Sequence, residues 1–244
     1  MMTAPCFYKF PSTLVFEAQG ADVVRYLQAR LTNDIRSLES GKGLYAAALN
    51  AQGRTEGLFN VSCIEAKRFF LVADGGEAAT VLAALKRFIV ADRVSIDDRS
   101  IEYNYLHVIP AAESEQFAKT AGLESDTQLP KEPFAVMHSN DAIITKHQRS
   151  LFCGYDVLCP KAEAQGLTQG LAEHAFSELD LNAYNIQRLR AAYPSYPDEI
   201  DEQMLFAESG LEFAVSFSKG CYVGQEVIEK VAARGKAPKK LVLL

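Results

Sequence analysis

The apolar spacing of this chain predicts an α+β fold with largely antiparallel sheets. Helix-period and strand-period segments come in mixed blocks rather than in strict alternation, which disfavours a doubly wound parallel sheet. One strand pair, Tyr45 to Leu49 and Gly57 to Ile64, flanks the turn Asn50-Ala51-Gln52-Gly53-Arg54, and a hairpin is its natural connection. Ahead of that pair, Gly20 to Asp34 reads as an amphipathic helix with Val23, Val24, Leu27 and Leu31 on one face, ended by Thr32-Asn33-Asp34. Phe69 to Ala73 is a third strand, and Glu77 to Val90 a helix whose buried stripe is Val81, Leu82, Leu85, Phe88 and Ile89. Ile101, Tyr103, Tyr105, His107 and Ile109 alternate as a strand does, and Glu115 to Ala121 makes a short helix. Phe134 to Met137, Ala142 to Thr145 and Leu151 to Leu158 supply further strands. Beyond Pro160 the period turns helical over Ala162 to Phe176 and Asn182 to Tyr193, and Pro194 to Glu202 reads as an exposed connection. Gly122 to Pro133, polar and proline-bounded, is the best linker candidate.

With 244 residues, 48% of them hydrophobic and 23% charged, the chain can build one large or two smaller cores. Its five cysteines, Cys6, Cys63, Cys153, Cys159 and Cys221, are odd in number and include no Cys-x-x-Cys pair. Neither a disulfide framework nor a structural zinc site is expected, and a reducing cytosol fits. His107, His138, His147 and His174 are scattered without metal-ligand spacing and read as structural, as Cys153 and Cys159 read as core, so no stable metal is expected. No apolar run approaches the roughly 18 residues of a membrane span, and the N-terminus lacks the basic start and apolar core of a signal peptide. A cytoplasmic protein with no membrane partner is the expectation. The net charge of −6 argues against direct nucleic-acid binding. Lys230, Arg234, Lys236, Lys239 and Lys240 nevertheless crowd the C-terminal end, where they keep it soluble or meet an anionic ligand.

The stretch Lys219-Gly220-Cys221-Tyr222-Val223-Gly224-Gln225-Glu226 sets a thiol between two glycines, beside a cation and ahead of a helix-like run with Val227, Ile228 and Val231. Lys219 and the start of that helix would favour the thiolate. The glycines would open backbone conformations closed to other residues and let a ligand come near. Local chemistry leaves two roles open for Cys221: an activated thiol, or a small buried hydrophobe in a turn.

Together with Tyr26 to Asp34, Leu49 to Arg54, Leu189-Arg190 and Glu208-Ser209-Gly210-Leu211, this stretch of the form K-G-C-Y-x-G-Q-E resembles the YgfZ-type folate-binding proteins. These are iron–sulfur cluster assembly factors within the superfamily of the glycine-cleavage T-protein aminomethyltransferases. The resemblance implies two intertwined α+β domains, one from residues 1–52 and 137–244 carrying the Cys motif, the other inserted as residues 53–136. It implies a non-covalently held tetrahydrofolate or derivative, with Asn33, Gln52, Arg54, Arg190 and Glu208 as folate contacts and Cys221 as the functional thiol, activated by Lys219. Gly220, Tyr222, Gly224, Gln225 and Glu226 complete the motif loop. The implied function is that of a folate-binding accessory protein for iron–sulfur clients, including enzymes that thiolate tRNA, without conventional turnover. The alternative is a folate-dependent one-carbon transferase.

Three departures bear on that choice. Where the transferases carry an acidic pair after the hairpin turn, this chain has Glu56-Gly57, so the catalytic carboxylate is missing or shifted onto Glu56. An acidic turn that contacts the pterin in those enzymes has no counterpart around Leu151-Phe152-Cys153-Gly154. Many relatives continue into a small C-terminal β-barrel, whereas this sequence stops at Lys240-Leu241-Val242-Leu243-Leu244, an apolar end expected to dock on the protein itself or in a homodimer.

Overall fold

The computed structural model describes residues 4–139, 141–235, 237 and 239–242. In chain order the first elements are β1 (Cys6–Lys9), β2 (Leu14–Gln19), α1 (Val23–Arg30), β3 (Gly43–Leu49), β4 (Thr55–Glu65), β5 (Arg68–Ala73), α2 (Ala78–Lys86) and β6 (Ser95–Asp98). They are followed by β7 (Tyr103–Ile109), α3 (Ser114–Thr120), β8 (Val136–Ser139), β9 (Ala142–Lys146), β10 (Tyr155–Pro160), α4 (Lys161–Glu173), β11 (Ser177–Glu178), α5 (Leu181–Arg190) and α6 (Gln225–Ala233). The α+β class with largely antiparallel sheets is observed. Among the described residues no helix is long and apolar enough to cross a membrane.

The chain divides into two units, Leu14–Arg99 with Pro194–Leu244, and Met1–Thr13 with Ser100–Tyr193. Both are discontinuous, but the boundaries differ from those the resemblance implied. The cut at 52/53 would pass through the β3–β4 hairpin turn and the cut at 136/137 through β8, and ladder hydrogen bonds hold each of those pairs together.

The unit that carries the thiol motif is built on an antiparallel sheet in the order β3-β4-β5-β2-β6. Alternate residues, among them Phe16, Ala46, Phe59 and Leu71, enter one apolar core with Val23 and Leu27 of α1 and Val81 and Leu85 of α2. The first helix is shorter than its sequence pattern, because Leu31 turns extended and bridges to Ala48 of β3. Glu77 caps α2, accepting from the amides of Ala79 and Thr80, and the helix stops at Lys86. Phe88, expected in its buried stripe, is therefore exposed. Strands β1 and β2 carry no period-two signal. In β2 even Glu17 is buried, held by Arg68 and Arg99.

The other unit has a sheet in the order β11-β1-β7-β10-β9-β8, antiparallel except where β1 meets β11. One face packs Phe7, Leu106, Val108, Ile144 and Val157 under Phe117 of α3 and Leu171 of α4. Strand β10 starts only at Tyr155, so Cys153 is exposed rather than core, while Cys159 is buried as expected.

Asp156 of β10 is almost wholly buried and gathers a polar cluster. It meets Nδ1 of His107 at 2.8 Å and Nδ1 of His147 at 2.6 Å, and accepts from Arg149 Nη2 at 2.9 Å. Nε2 of His147 meets the Tyr193 hydroxyl at 2.8 Å. Burial works to raise the Asp156 pKa, but Arg149 and the two imidazoles outweigh it and hold the carboxyl well below its usual range. A depressed carboxyl stabilises above its unfolded value, ordinarily 3.8, and that stabilisation is lost as pH falls toward the folded value. Replacing Asp156 by Asn strands a buried guanidinium and should cost about 3–5 kcal/mol in urea unfolding at neutral pH, with the gap to wild type narrowing in acid. A loss under about 1 kcal/mol would mean that the cluster does not hold this unit together.

Candidate functional site

The site is assembled on the C-terminal end of α1. Because the chain leaves that helix extended, the carbonyls of Gln28, Leu31 and Asn33 need partners from elsewhere. They converge on Nζ of Lys219, at 2.6, 2.6 and 2.8 Å. The ammonium has three protons and three acceptors, and it also lies 5.0 Å from the centre of the Tyr222 ring. Burial pulls the Lys219 pKa down to about 8. Lys219 thus anchors the loop to α1, with all three of its donors engaged.

The rest of the motif is fixed with it. Tyr222 is buried, which pushes its phenol pKa up to about 12, and its amide donates to Oε1 of Gln225 at 3.2 Å. The Val223 amide donates to the carbonyl of Ala29 at 3.2 Å. Gln225 opens α6, where its Nε2 donates to Oε1 of Glu229 at 2.6 Å. Glu226 is a surface residue one turn from Lys230. Cys221 is exposed, which removes the reading of it as a small buried hydrophobe.

Gly224 caps α6 in the left-handed region, φ 85°, and a Cβ there would lie 2.6 Å from the Asn50 carbonyl oxygen. The hairpin turn returns the constraint: at Gly53, φ 74°, a Cβ would lie 2.8 Å from Cβ of Val227. The turn and the helix after the thiol are therefore packed backbone against backbone. Gly220 has open space around it.

The expected folate contacts have differing surroundings. Nδ2 of Asn33 donates to the carbonyls of Tyr45 and Phe213, at 2.9 and 3.0 Å. Oε1 of Glu208 accepts from the Lys239 amide at 3.1 Å, and the Glu208 carbonyl from the Leu241 amide at 3.2 Å. That contact holds the C-terminal segment on the chain itself; Leu243 and Leu244, the rest of the apolar end, lie outside the described residues. Gln52 is exposed on the turn. Arg190 is exposed and belongs to the other unit, where the buried arginine of α5 is its neighbour Arg188, bonded to Oδ1 of Asn185 at 2.8 Å. Spacing along α5 puts both on helical positions and could not choose between them.

Glu208 lines a cavity of about 470 Å³ with Leu211, Phe217 and Ile228, and Arg54 opens onto another, a polar cleft of about 340 Å³ that it lines with Asn50, Thr55, Glu56, Tyr196 and Glu202. Oγ1 of Thr55, buried there, has no partner among the described residues. Glu56 is not free: one oxygen meets Arg30 Nη2 at 2.6 Å and the other Arg87 Nη1 at 2.5 Å. Arg30 is fully buried, its Nε and Nη1 donating to the carbonyls of Ala84 and Leu49. Neither arginine was singled out in the sequence, where both look like ordinary helix cations.

The packing yields a graded expectation. Gly224→Ala, strained in φ and blocked by backbone, should lower stability by about 1–3 kcal/mol, while Gly220→Ala should change it by less than about 0.5 kcal/mol. Equal melting temperatures for the two variants would contradict the docking of α6 on the hairpin turn.

The family model of the GCVT N-terminal domain matches residues 12–219. The chain is 28% identical to an aminomethyltransferase of Rubrobacter xylanophilus, over 92% of its own length and 60% of that protein. It is 26% identical to an iron-sulfur cluster assembly factor IBA57 homolog, mitochondrial, of Pyricularia oryzae, over 97% of its own length and 56% of that protein. An uncharacterized protein of Haemophilus influenzae is also 26% identical, over 91% of this chain and 66% of that one. The chain thus spans less than two thirds of the length of the curated relatives it matches. Its fold matches the crystal structure of glycine cleavage system aminomethyltransferase T from Bartonella henselae with a TM-score of 0.84, at 19% identity, over 96% of this chain and 64% of that one. With the family model covering most of its length and the fold in agreement, the chain belongs to the GCVT N-terminal domain family, within the aminomethyltransferase superfamily that includes the YgfZ- and IBA57-type factors.

Proposed function

We propose that this chain is a thiol-bearing accessory factor for iron–sulfur proteins, of the kind named in its IBA57 relative, and not a glycine-cleavage transferase. The observation that carries the reading is the exposed Cys221 in a loop whose flanking residues are tied to α1 and to the hairpin turn. A thiol held outward on a fixed frame suits exchange with a partner protein, through a mixed disulfide or a transient cluster contact. The transferase reading asks for a carboxylate after the hairpin turn, and Glu56 has both oxygens occupied by arginines.

Folate binding belongs to the same proposal in a reduced form. Arg54 offers donors for an anionic end of a reduced folate, and the Tyr196 ring borders the same cleft. When bound, the folate supplies a one-carbon carrier; the protein's part is to hold it. The clients are iron–sulfur proteins, tRNA-thiolating enzymes among them, and the setting proposed is the cytoplasm.

The test is rescue of an iron–sulfur enzyme's activity in cells lacking a YgfZ-type factor. Wild type should restore activity and Cys221→Ser, expressed at the same level, should lose most of it; equal rescue by the two sinks the thiol reading. Calorimetric titration with tetrahydrofolate examines the ligand separately. Saturable binding should survive Cys221→Ser and weaken roughly 10–100-fold in Arg54→Ala, the range of one charge-assisted hydrogen bond. No binding by folded wild type removes folate from the proposal.

A further inference from the structure

We propose that Lys219 is a positioning residue: as a point-charge ammonium it grips the carbonyl end of α1 and so fixes where Cys221 is presented, a task that arginine cannot take over. This deepens the reading of Cys221 as the working thiol and rests on it.

The geometry limits what can sit at this position. Three carbonyl oxygens lie within 2.8 Å of one nitrogen. An ammonium directs three protons from one atom, whereas a guanidinium spreads its donors across a rigid plane. The acceptors are also specific to this helix end. Leu31 is already extended, so no left-handed residue closes the helix in the usual way, and the carbonyls of Leu31 and Asn33 have no other backbone donor among the bonds described. Asp34 and Arg36 act on the ammonium through space with opposite signs, and the Tyr222 ring covers it from the loop side.

The consequence falls on Cys221. Lys219 is fixed two residues before it, the Tyr222 and Val223 amides are bonded just after it, and Gly224 is packed on the hairpin turn. Gly220 and Cys221 are the exposed pair between these anchors. Releasing Lys219 frees the N-terminal side of the loop while the α6 side stays docked, so the thiol loses its defined place without loss of the fold.

The experiment places a methanethiosulfonate spin label on Cys221 in a Cys153→Ser background, which removes the other exposed thiol. Line shapes are compared for Lys219, Lys219→Met and Lys219→Arg, with protection of Cys63, fully buried in the core of the same unit, as the folding control. The expected result is an immobilised label in the parent and loss of that immobilised component in both variants, with Cys63 still protected. An unchanged line shape in either variant overturns the proposal, as does loss of Cys63 protection in step with label mobility, which would make Lys219 an ordinary stability residue. Should neither variant fold, hydrogen exchange in the wild type decides: a Val223 amide exchanging as slowly as β4 supports the clamp, and exchange at the unprotected rate overturns it. Normal rescue by Cys221→Ser would remove the function while leaving these line shapes intact, so the two ideas fail separately.

Discussion

A single buried ammonium facing three carbonyl oxygens is the contact on which the placement of the thiol loop depends. Taking an ammonium out of water costs several kcal/mol. Against this stand three charge-assisted hydrogen bonds and the partial negative charge, about half an electron, of a helix C-terminus. Burial wins part of the contest, since it draws Lys219 to about 8, yet the group stays charged at neutral pH. For a base whose folded pKa is lowered, the favourable contribution is full above the unfolded value of 10.5 and is lost as pH falls through about 8. At pH 7 the folded protein therefore still holds the ammonium, with its three donors directed from one point.

That contact closes the unit over a long stretch of chain. Lys219 reaches back to Gln28, Thr32 Oγ1 donates to the Ala214 carbonyl at 2.6 Å, and Ser216 bonds back to Thr32. The last fifty residues are thereby tied to α1 and to the β3–β4 turn, which explains why Pro194–Leu244 joins Leu14–Arg99 in one unit. The turn is a docking surface inside the unit, with Gly53 and Gly224 removing the side chains that would hold the two backbones apart.

What the sequence made legible follows from what is local. The hairpin, α6 and the sequence-adjacent members of the thiol motif depend on short-range period, caps and glycines, and they were readable. Strand β2 was not, because it is buried along nearly its whole length, so that its run Leu14 to Ala18, charged Glu17 included, has no alternation to detect. The structural partners of Lys219, Asn33 and Glu208 were not legible, since they lie up to 191 positions away. A charged or amide side chain in a motif invites a catalytic reading; here the helix end and the C-terminal segment claim these groups first. Arg30 and Arg87 were missed for the converse reason, that a helix cation looks the same in sequence whether it faces water or a buried carboxylate.

The Arg30–Glu56–Arg87 arrangement also bears on how a transferase scaffold can serve a different purpose. A carboxylate that must face a reacting nitrogen needs an oxygen free to take or orient a proton. Both oxygens of Glu56 are engaged: one is held by an arginine that is itself pinned to the carbonyls of Ala84 and Leu49, and the other by an arginine just beyond α2. Loosening Glu56 would leave Arg30 buried without its counter-charge, a penalty of several kcal/mol, which restrains the carboxylate where it borders the cleft. The same sheet, turn and helix that could position an acid here instead lock it into the frame. In the same unit the thiol of Cys221 faces outward, and the hairpin turn that precedes Glu56 is the one on which the helix after Cys221 packs.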